Sequence, residues 1–151
     1  MKAVIQRVLN ASVEVENNTV SKIENGFLIL LGVEHNDTES SAQVLASKVA
    51  KLRVFSDEND KMNLSLIDTG YEALVVSQFT LCADCKKGNR PSFSSAAQPK
   101  IANELYEFFI NELIKCGVAD VKKGVFGADM KISLVNDGPV TIIYDTKEWE
   151  K

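Results

Sequence analysis

Apolar and polar residues alternate from Lys2 to Val8 and again from Ala11 to Glu16, the period of a half-buried strand. This predicts two short strands, and the turn-forming Asn17-Asn18 pair places a third from Thr19 to Ile23 antiparallel to them. Phe27 to Val33 is apolar without alternation, as expected of a central strand buried on both faces. Asp37 or Thr38 can cap a helix running to about Arg53, because Ala42, Leu45, Ala46, Val49 and Leu52 recur at helical spacing. Asp57 to Lys61 reads as a solvated turn, followed by extended segments at Leu64 to Ile67 and Ala73 to Phe79 and a polar loop from Cys82 to Ser95. Pro99 and Gly117 bracket a second helix, with Ile101, Leu105, Phe108, Phe109 and Leu113 on its expected buried stripe. Ala128 to Val135 and Val140 to Tyr144 are strand-like and are joined by the turn residues Asn136-Asp137-Gly138-Pro139. The order predicts an α+β protein: a largely antiparallel sheet or partial β-barrel with two packed helices, forming one domain over residues 1–151.

Composition narrows the class. Of 151 residues, 45% are hydrophobic and 25% charged, which suits a single folded core. No apolar run approaches the roughly 18 residues of a membrane helix, and Gln6 and Arg7 interrupt the segment where a secretion signal would be unbroken, so a cytoplasmic protein is expected. The formal net charge is −4, so any nucleic-acid contact must be local.

Several common chemistries lack their residues. His35 is the only histidine, and a nucleophile–histidine relay needs it close to a nucleophile; alone at a strand end it reads as a surface residue. Cys82-Ala83-Asp84-Cys85 resembles half of a zinc site or a redox pair, but only Cys116 and His35 remain to complete four ligands, so no metal is expected. The Gly124-Val125-Phe126-Gly127 segment lacks the glycine pattern of a nucleotide fold, and no cofactor is expected. Lys86, Lys87 and Arg90, and separately Lys122 and Lys123, form basic clusters that read either as solvated loops or as a small phosphate-and-base contact surface.

Four segments stand out together: Ser77-Gln78-Phe79-Thr80-Leu81, Lys87-Gly88-Asn89-Arg90-Pro91-Ser92-Phe93, Phe126-Gly127-Ala128-Asp129-Met130 and Asn136-Asp137-Gly138-Pro139-Val140-Thr141. Singly they are weak, and the last also reads as a plain hairpin connection. Their order and spacing, with Val4-Ile5-Gln6-Arg7-Val8 at the start, resemble the D-aminoacyl-tRNA deacylase family from end to end. The resemblance implies hydrolysis of the ester between a D-amino acid and tRNA as chiral proofreading, by a homodimer with active sites at its interface that takes the aminoacyl-tRNA acceptor end as partner. It implies that Gly138 and Pro139 form a cis peptide entering the partner's site as a stereochemical filter, with Arg7 holding the incoming turn across the interface. Phe79 is expected to offer its backbone N–H to the substrate carbonyl, with Ser77, Gln78 and Thr80 shaping the pocket; Lys87, Arg90, Phe126 and Met130 are the expected tRNA contacts. The cysteines at 82 and 85 lie outside the resemblance. Two rival readings are a non-enzymatic dimeric tRNA-binding module and an esterase or amidohydrolase for small D-amino-acid derivatives.

Overall fold

The structure is a computed structural model and describes residues 1–149. It is built on one long strand, β1 (Lys2–Val15), which carries both of the short strands expected at the N-terminus without a break. On one edge β1 pairs first with β3 (Gly26–Gly32) and then with β2 (Asn18–Ile23); on its other edge it pairs along its length with β8 (Lys131–Asp145), all antiparallel. β6 (Glu72–Ser77) adds parallel to β3, and β7 (Asp120–Lys123) adds parallel to β6. The two parallel joints require crossovers, and the crossovers contain α1 (Glu39–Ala50) and α3 (Pro99–Lys115). The free edges of β2 and β7 meet through side chains: Lys122 Nζ donates to the Lys22 carbonyl at 2.7 Å, and the Ser21 hydroxyl donates to the Lys123 carbonyl. The result is a nearly closed, barrel-like sheet.

The uninterrupted apolar run of β3 is explained by two cores. Phe27, Ile29 and Leu31 face α1 and α3, where they pack with Leu45, Val49, Leu105 and Phe109. Leu28, between them, points into the barrel with Val8, Val13, Leu74 and Val76. β6 divides the same way, Ala73 and Val75 toward the helices and Leu74 and Val76 inward.

Local chemistry sets the element ends. Thr38 caps α1 in a reciprocal box with Ser41, its backbone N–H donating to Ser41 Oγ at 3.2 Å while Ser41 N–H donates to Thr38 Oγ1 at 3.4 Å. Leu64 to Ile67, expected to be extended, instead ends β5 (Met62–Leu64), the partner of β4 (Phe55–Ser56), and starts the single turn α2 (Leu66–Thr69). The cause is a second capping box, in which Asp68 and Ser65 satisfy each other's backbone N–H groups. The buried stripe of α3 is rotated one position from expectation: Ala102, Leu105, Tyr106, Phe109, Ile110 and Leu113 face the core, whereas Ile101 is 49% exposed.

The segment from Ala128 to Tyr144 is also corrected. It is no hairpin: β8 runs continuously from Lys131, and the strands on both sides of the Gly138-Pro139 turn pair with β1 rather than with each other. Asn136 is opposite Val8 and Thr141 opposite Gln6, so residues 137–140 loop out against the single residue Arg7.

Candidate active site

Where the parallel strands β3 and β6 end, the chain leaves a cavity of about 500 Å³. Strand ends of this kind are where crossovers separate and a crevice opens. Leu31, Val33, Val76 and Ser77 come from the strand ends, Gln78 and Phe79 from the segment just beyond β6, and Ala96 and Ala97 from the loop before α3. Ala102 and Tyr106 of α3 and the Phe126–Met130 loop complete the wall.

Phe79 does not extend β6 as expected. The strand stops at Ser77, Gln78 N–H donates to the Leu31 carbonyl at 2.8 Å, and Phe79–Cys82 coils into one 3-10 turn. The turn folds back over β3 at Gly32, where a side-chain carbon would sit 3.0 Å from Leu81 Cβ and 3.1 Å from the Gln78 carbonyl. Glycine is what permits that approach. Gln78 gives this turn no side-chain cap, and Gln78 and Phe79 are both among the residues that line the cavity.

The lining is almost uncharged. Asp129 is its only carboxylate among the described residues, and it lies exposed and paired with Lys131 at 3.2 Å. Tyr106 is 1% exposed and donates its hydroxyl to the Val75 carbonyl at 2.8 Å; burial holds this phenol well above its ordinary range, so it stays protonated. The same Val75 carbonyl accepts Gly124 N–H at 3.1 Å, which fixes the start of the Phe126–Met130 loop against the end of β6. The Phe126 ring rests against that of Tyr106, with centroids 5.9 Å apart. Thr80 is not part of the lining; its Oγ1 accepts from Gln78 Nε2 at 2.5 Å.

His35 is far from a relay arrangement: its Nδ1 lies 3.0 Å from the Ser95 carbonyl, where it fastens the loop before α3. Cys82 is buried against the Val33 carbonyl, and burial, reinforced by the Glu34 carboxylate, raises its thiol pKa, which disfavours the thiolate. Cys85 is exposed and unbridged. Among the described residues no group of three or more His, Cys, Asp or Glu side chains is placed to hold a metal ion.

The remaining sequence candidates lie elsewhere. Lys87 and Arg90 sit at the exposed tip of a loop closed by paired Asp84–Ser92 backbone hydrogen bonds of 2.8 and 2.9 Å. Gly138 and Pro139 are exposed and joined by a cis peptide, and neither lines the cavity. Arg7 holds this turn from within its own chain: Nε donates to the Asp137 carbonyl at 3.0 Å and lies 3.4 Å from the Asp137 carboxylate, while Nη1 donates to the Val54 carbonyl at 2.6 Å. Within the chain, β1–β8 pairing sets Arg7 opposite the loop-out, so this grip is on the turn of its own protomer. Sequence reasoning missed Tyr106, Ala96, Ala97 and Ala102; the signal for Tyr106 was its place three and four residues from Phe109, Ile110 and Ala102.

The sequence pattern of the D-Tyr-tRNA(Tyr) deacylase family matches residues 4–145. The chain belongs to that family. It is a hydrolase of the deacylase class, 57% identical over 148 residues to the D-aminoacyl-tRNA deacylase of Thermosipho africanus and 53% identical over 148 residues to that of Clostridioides difficile, covering 98% of this chain and 99% of each relative. A solved structure of a protein named c-Myc DNA Unwinding Element Binding Protein superimposes with a TM-score of 0.91 at 42% identity, covering 96% of this chain and 98% of that one. A second, a probable eukaryotic D-amino acid tRNA deacylase, shares the fold at a TM-score of 0.82 with 15% identity, covering 95% of this chain and 97% of that one. Among the described residues no helix is long and apolar enough to cross a membrane.

Proposed function

We propose that this deacylase cleaves the ester of D-aminoacyl-tRNA in the cytoplasm, and that it does so as a homodimer in which the Gly138-Pro139 turn of one protomer screens the cavity of the other. The observation that carries this reading is the separation of turn and cavity. Ile132 lines the cavity, and the loop-out that carries Gly138 begins after Asn136, four residues further along β8, about 13 Å of extended chain. The turn is nonetheless held as a firm, exposed projection by Arg7, the form expected of a part that acts on another molecule.

A main-chain filter suits a task that must accept many D-side chains. With backbone carbonyls facing the substrate α-carbon, an L-side chain collides with them and a D-side chain leaves toward open space. Gly138 sits at φ +128°, and an added side-chain carbon would be 3.0 Å from Val140 Cγ2 and 3.2 Å from Arg7 Nη2, so the main chain itself forms the surface of the turn. Glycine has no side chain to exclude, so glycyl-tRNA is hydrolysed too.

For the chemistry, an activated aminoacyl ester needs less help than the roughly 8–23 kcal/mol of typical enzymes. The Phe79 N–H faces the developing oxyanion, a donor of a type worth about 3–4 kcal/mol. The ribose 2′-hydroxyl of the substrate orients the water. What supports this route over a Thr80 nucleophile is the lack of a base: the Thr80 hydroxyl receives a hydrogen bond from an amide, and the histidine is committed to Ser95. Lys87, Arg90, Phe126 and Met130 hold the acceptor end, Phe126 stacking on the terminal adenine.

The deciding experiment is release of amino acid from matched D- and L-aminoacyl-tRNAs: rapid release of the D-form alone is expected, and equal release of both removes the filter. Thr80→Val is expected to keep most activity, and substrates ending in 2′-deoxyadenosine to lose most. One alternative, a nucleic-acid-binding module, is favoured by a specific observation: the structural relative at 42% identity is named as a DNA-element-binding protein. Excess protein that binds tRNA and leaves D-tyrosyl-tRNA intact selects that alternative.

A further inference from the structure

Phe79 carries a second feature that the chemistry above leaves unused. Its backbone serves the cavity in the proposed chemistry, but the residue is 57% exposed, and its ring meets the Phe93 ring edge-on with centroids 5.0 Å apart at 66°. Phe93 belongs to a firmly fastened loop: Asp84 and Ser92 exchange backbone hydrogen bonds, Ser95 Oγ donates to the Cys82 carbonyl at 2.9 Å, and Ala96 N–H donates to the Phe93 carbonyl at 3.0 Å. The aromatic pair is thus a fixed ledge beside the cavity rather than a mobile tip.

The charge around the ledge is unusual for this chain. Residues 82–100 contain Lys86, Lys87, Arg90 and Lys100 against the single acid Asp84, a local balance of +3 in a protein of net −4. Among the described residues Lys86, Lys87, Arg90 and Lys100 form no ion pair, as is also true of Lys48, Lys51, Arg53 and Lys61, whereas Lys122, Lys123, Lys131 and Lys147 are paired with carboxylates. What sets the loop apart is that its unpaired cations cluster within fifteen residues that also carry the aromatic Phe93. An exposed aromatic ledge beside unpaired cations fits one ligand class, a single-stranded nucleotide, whose base offers a face for stacking and whose phosphate seeks the charge. A second protein chain fits less well, since the buried centres of such contacts are depleted in lysine.

We propose that Phe79 and Phe93, with Lys86, Lys87 and Arg90, form a second nucleotide subsite that stacks the base immediately 5′ of the terminal adenosine. The inference rests on the acceptor end occupying the cavity. It enlarges the recognised ligand from one nucleoside to two nucleotides, and it gives the exposed Phe79 ring a role separate from its backbone.

The test compares equilibrium binding of adenosine with that of the dinucleotide CpA, free of amino acid, and of CpA lacking the cytosine base, to the native protein and to Phe93→Leu. Native protein is expected to bind CpA about tenfold more tightly than the base-free form, the size of one stacked base. In F93L that ratio is expected to fall to near one; because it is taken within each protein, a general loss of folded material cancels. A ratio near one in the native protein, or an unchanged ratio in F93L, overturns the subsite. So does an F93L that turns a dimer into a monomer while keeping the ratio, which assigns the ledge to a contact between copies. Failure of the deacylase reading appears differently, as a normal CpA ratio in a protein that releases no amino acid from D-aminoacyl-tRNA.

Discussion

The cavity at the end of β6 and the Gly138-Pro139 turn of β8 are built on opposite terms. The cavity is lined mostly by apolar walls, and the one buried polar side chain among its described lining, Tyr106, is already committed to Val75. The turn is exposed, and a charged side chain holds it: Arg7 donates to the Asp137 carbonyl of the turn and is itself anchored on the Val54 carbonyl. Preorganised donors in an apolar recess are suited to stabilising charge that develops during reaction. A rigid projection on the outside is suited to excluding shapes. On the proposed function the contrast separates reaction from selection within one small chain, and substitutions on each side test that division.

The largest effect is expected from Gly138→Ala. The new carbon enters the space of Arg7 Nη2 and Val140 at a φ that L-residues rarely adopt. Because the turn is exposed, the fold survives, and deacylation of D-aminoacyl-tRNA falls by roughly 100-fold, as expected for misplacement of a positioning group. Full activity in a folded G138A breaks the comparison at once. Arg7→Met comes next: it keeps the apolar stem and removes the charged donors to Asp137 and Val54. Hydrogen bonds from charged groups contribute about 1.5–3 kcal/mol each, so the loss of two is expected to cost about 3–6 kcal/mol in chemical denaturation, with D-over-L discrimination reduced about tenfold. Unaltered discrimination assigns Arg7 to stability alone.

How far the sequence foretold these two regions differs for a physical reason. Residues whose own chemistry marks them were legible: the cap at Thr38, the first-turn proline Pro99, the two-faced apolar run of β3, and the Ser77–Phe79 segment at a strand end. Partners chosen by the rest of the chain were not. Asn136-Asp137-Gly138-Pro139 says that the backbone bends, but a hairpin and a loop-out demand the same turn residues; only β1, long enough to pair with both flanks, decides between them. β7 reads Asp-Val-Lys-Lys, too polar for a periodic signal, and becomes a strand because β6 offers its edge. Tyr106 was hidden because neighbouring Leu105 and Phe108 also fit an apolar stripe, and a helix with residues such as Ile101 left outside disguises which arc is buried.

A smaller effect on the cavity side comes from Tyr106→Phe. The Val75 carbonyl keeps Gly124 as a donor, so the loss is expected to be about 1 kcal/mol in a urea titration at pH 7. If Tyr106 only positions the wall, KM rises a few-fold and kcat is unchanged; a collapse of kcat makes it an acid and contradicts the uncharged cavity. The phenol adds a pH signature. Its folded pKa lies above its unfolded value, so its contribution is complete below about pH 10 and declines as pH rises beyond that. The gap in stability between native protein and Y106F is therefore expected to narrow above pH 10.

The smallest effect sharpens the other side. Asp137 meets Arg7 twice, through its carbonyl at 3.0 Å and through a carboxylate at 3.4 Å that is 45% exposed. A half-exposed ion pair contributes about 0.2–1 kcal/mol, whereas the carbonyl contact is shielded and belongs to the backbone of the turn. Asp137→Asn removes the charge and leaves the carbonyl. If the turn is held through its main chain, D137N keeps D-over-L discrimination within about twofold, and its small stability loss disappears in high salt, where exposed pairs are screened. A loss of discrimination as large as that of Arg7→Met instead makes the carboxylate the anchor, so that the filter depends on a side chain and not on the backbone geometry that separates it from the cavity.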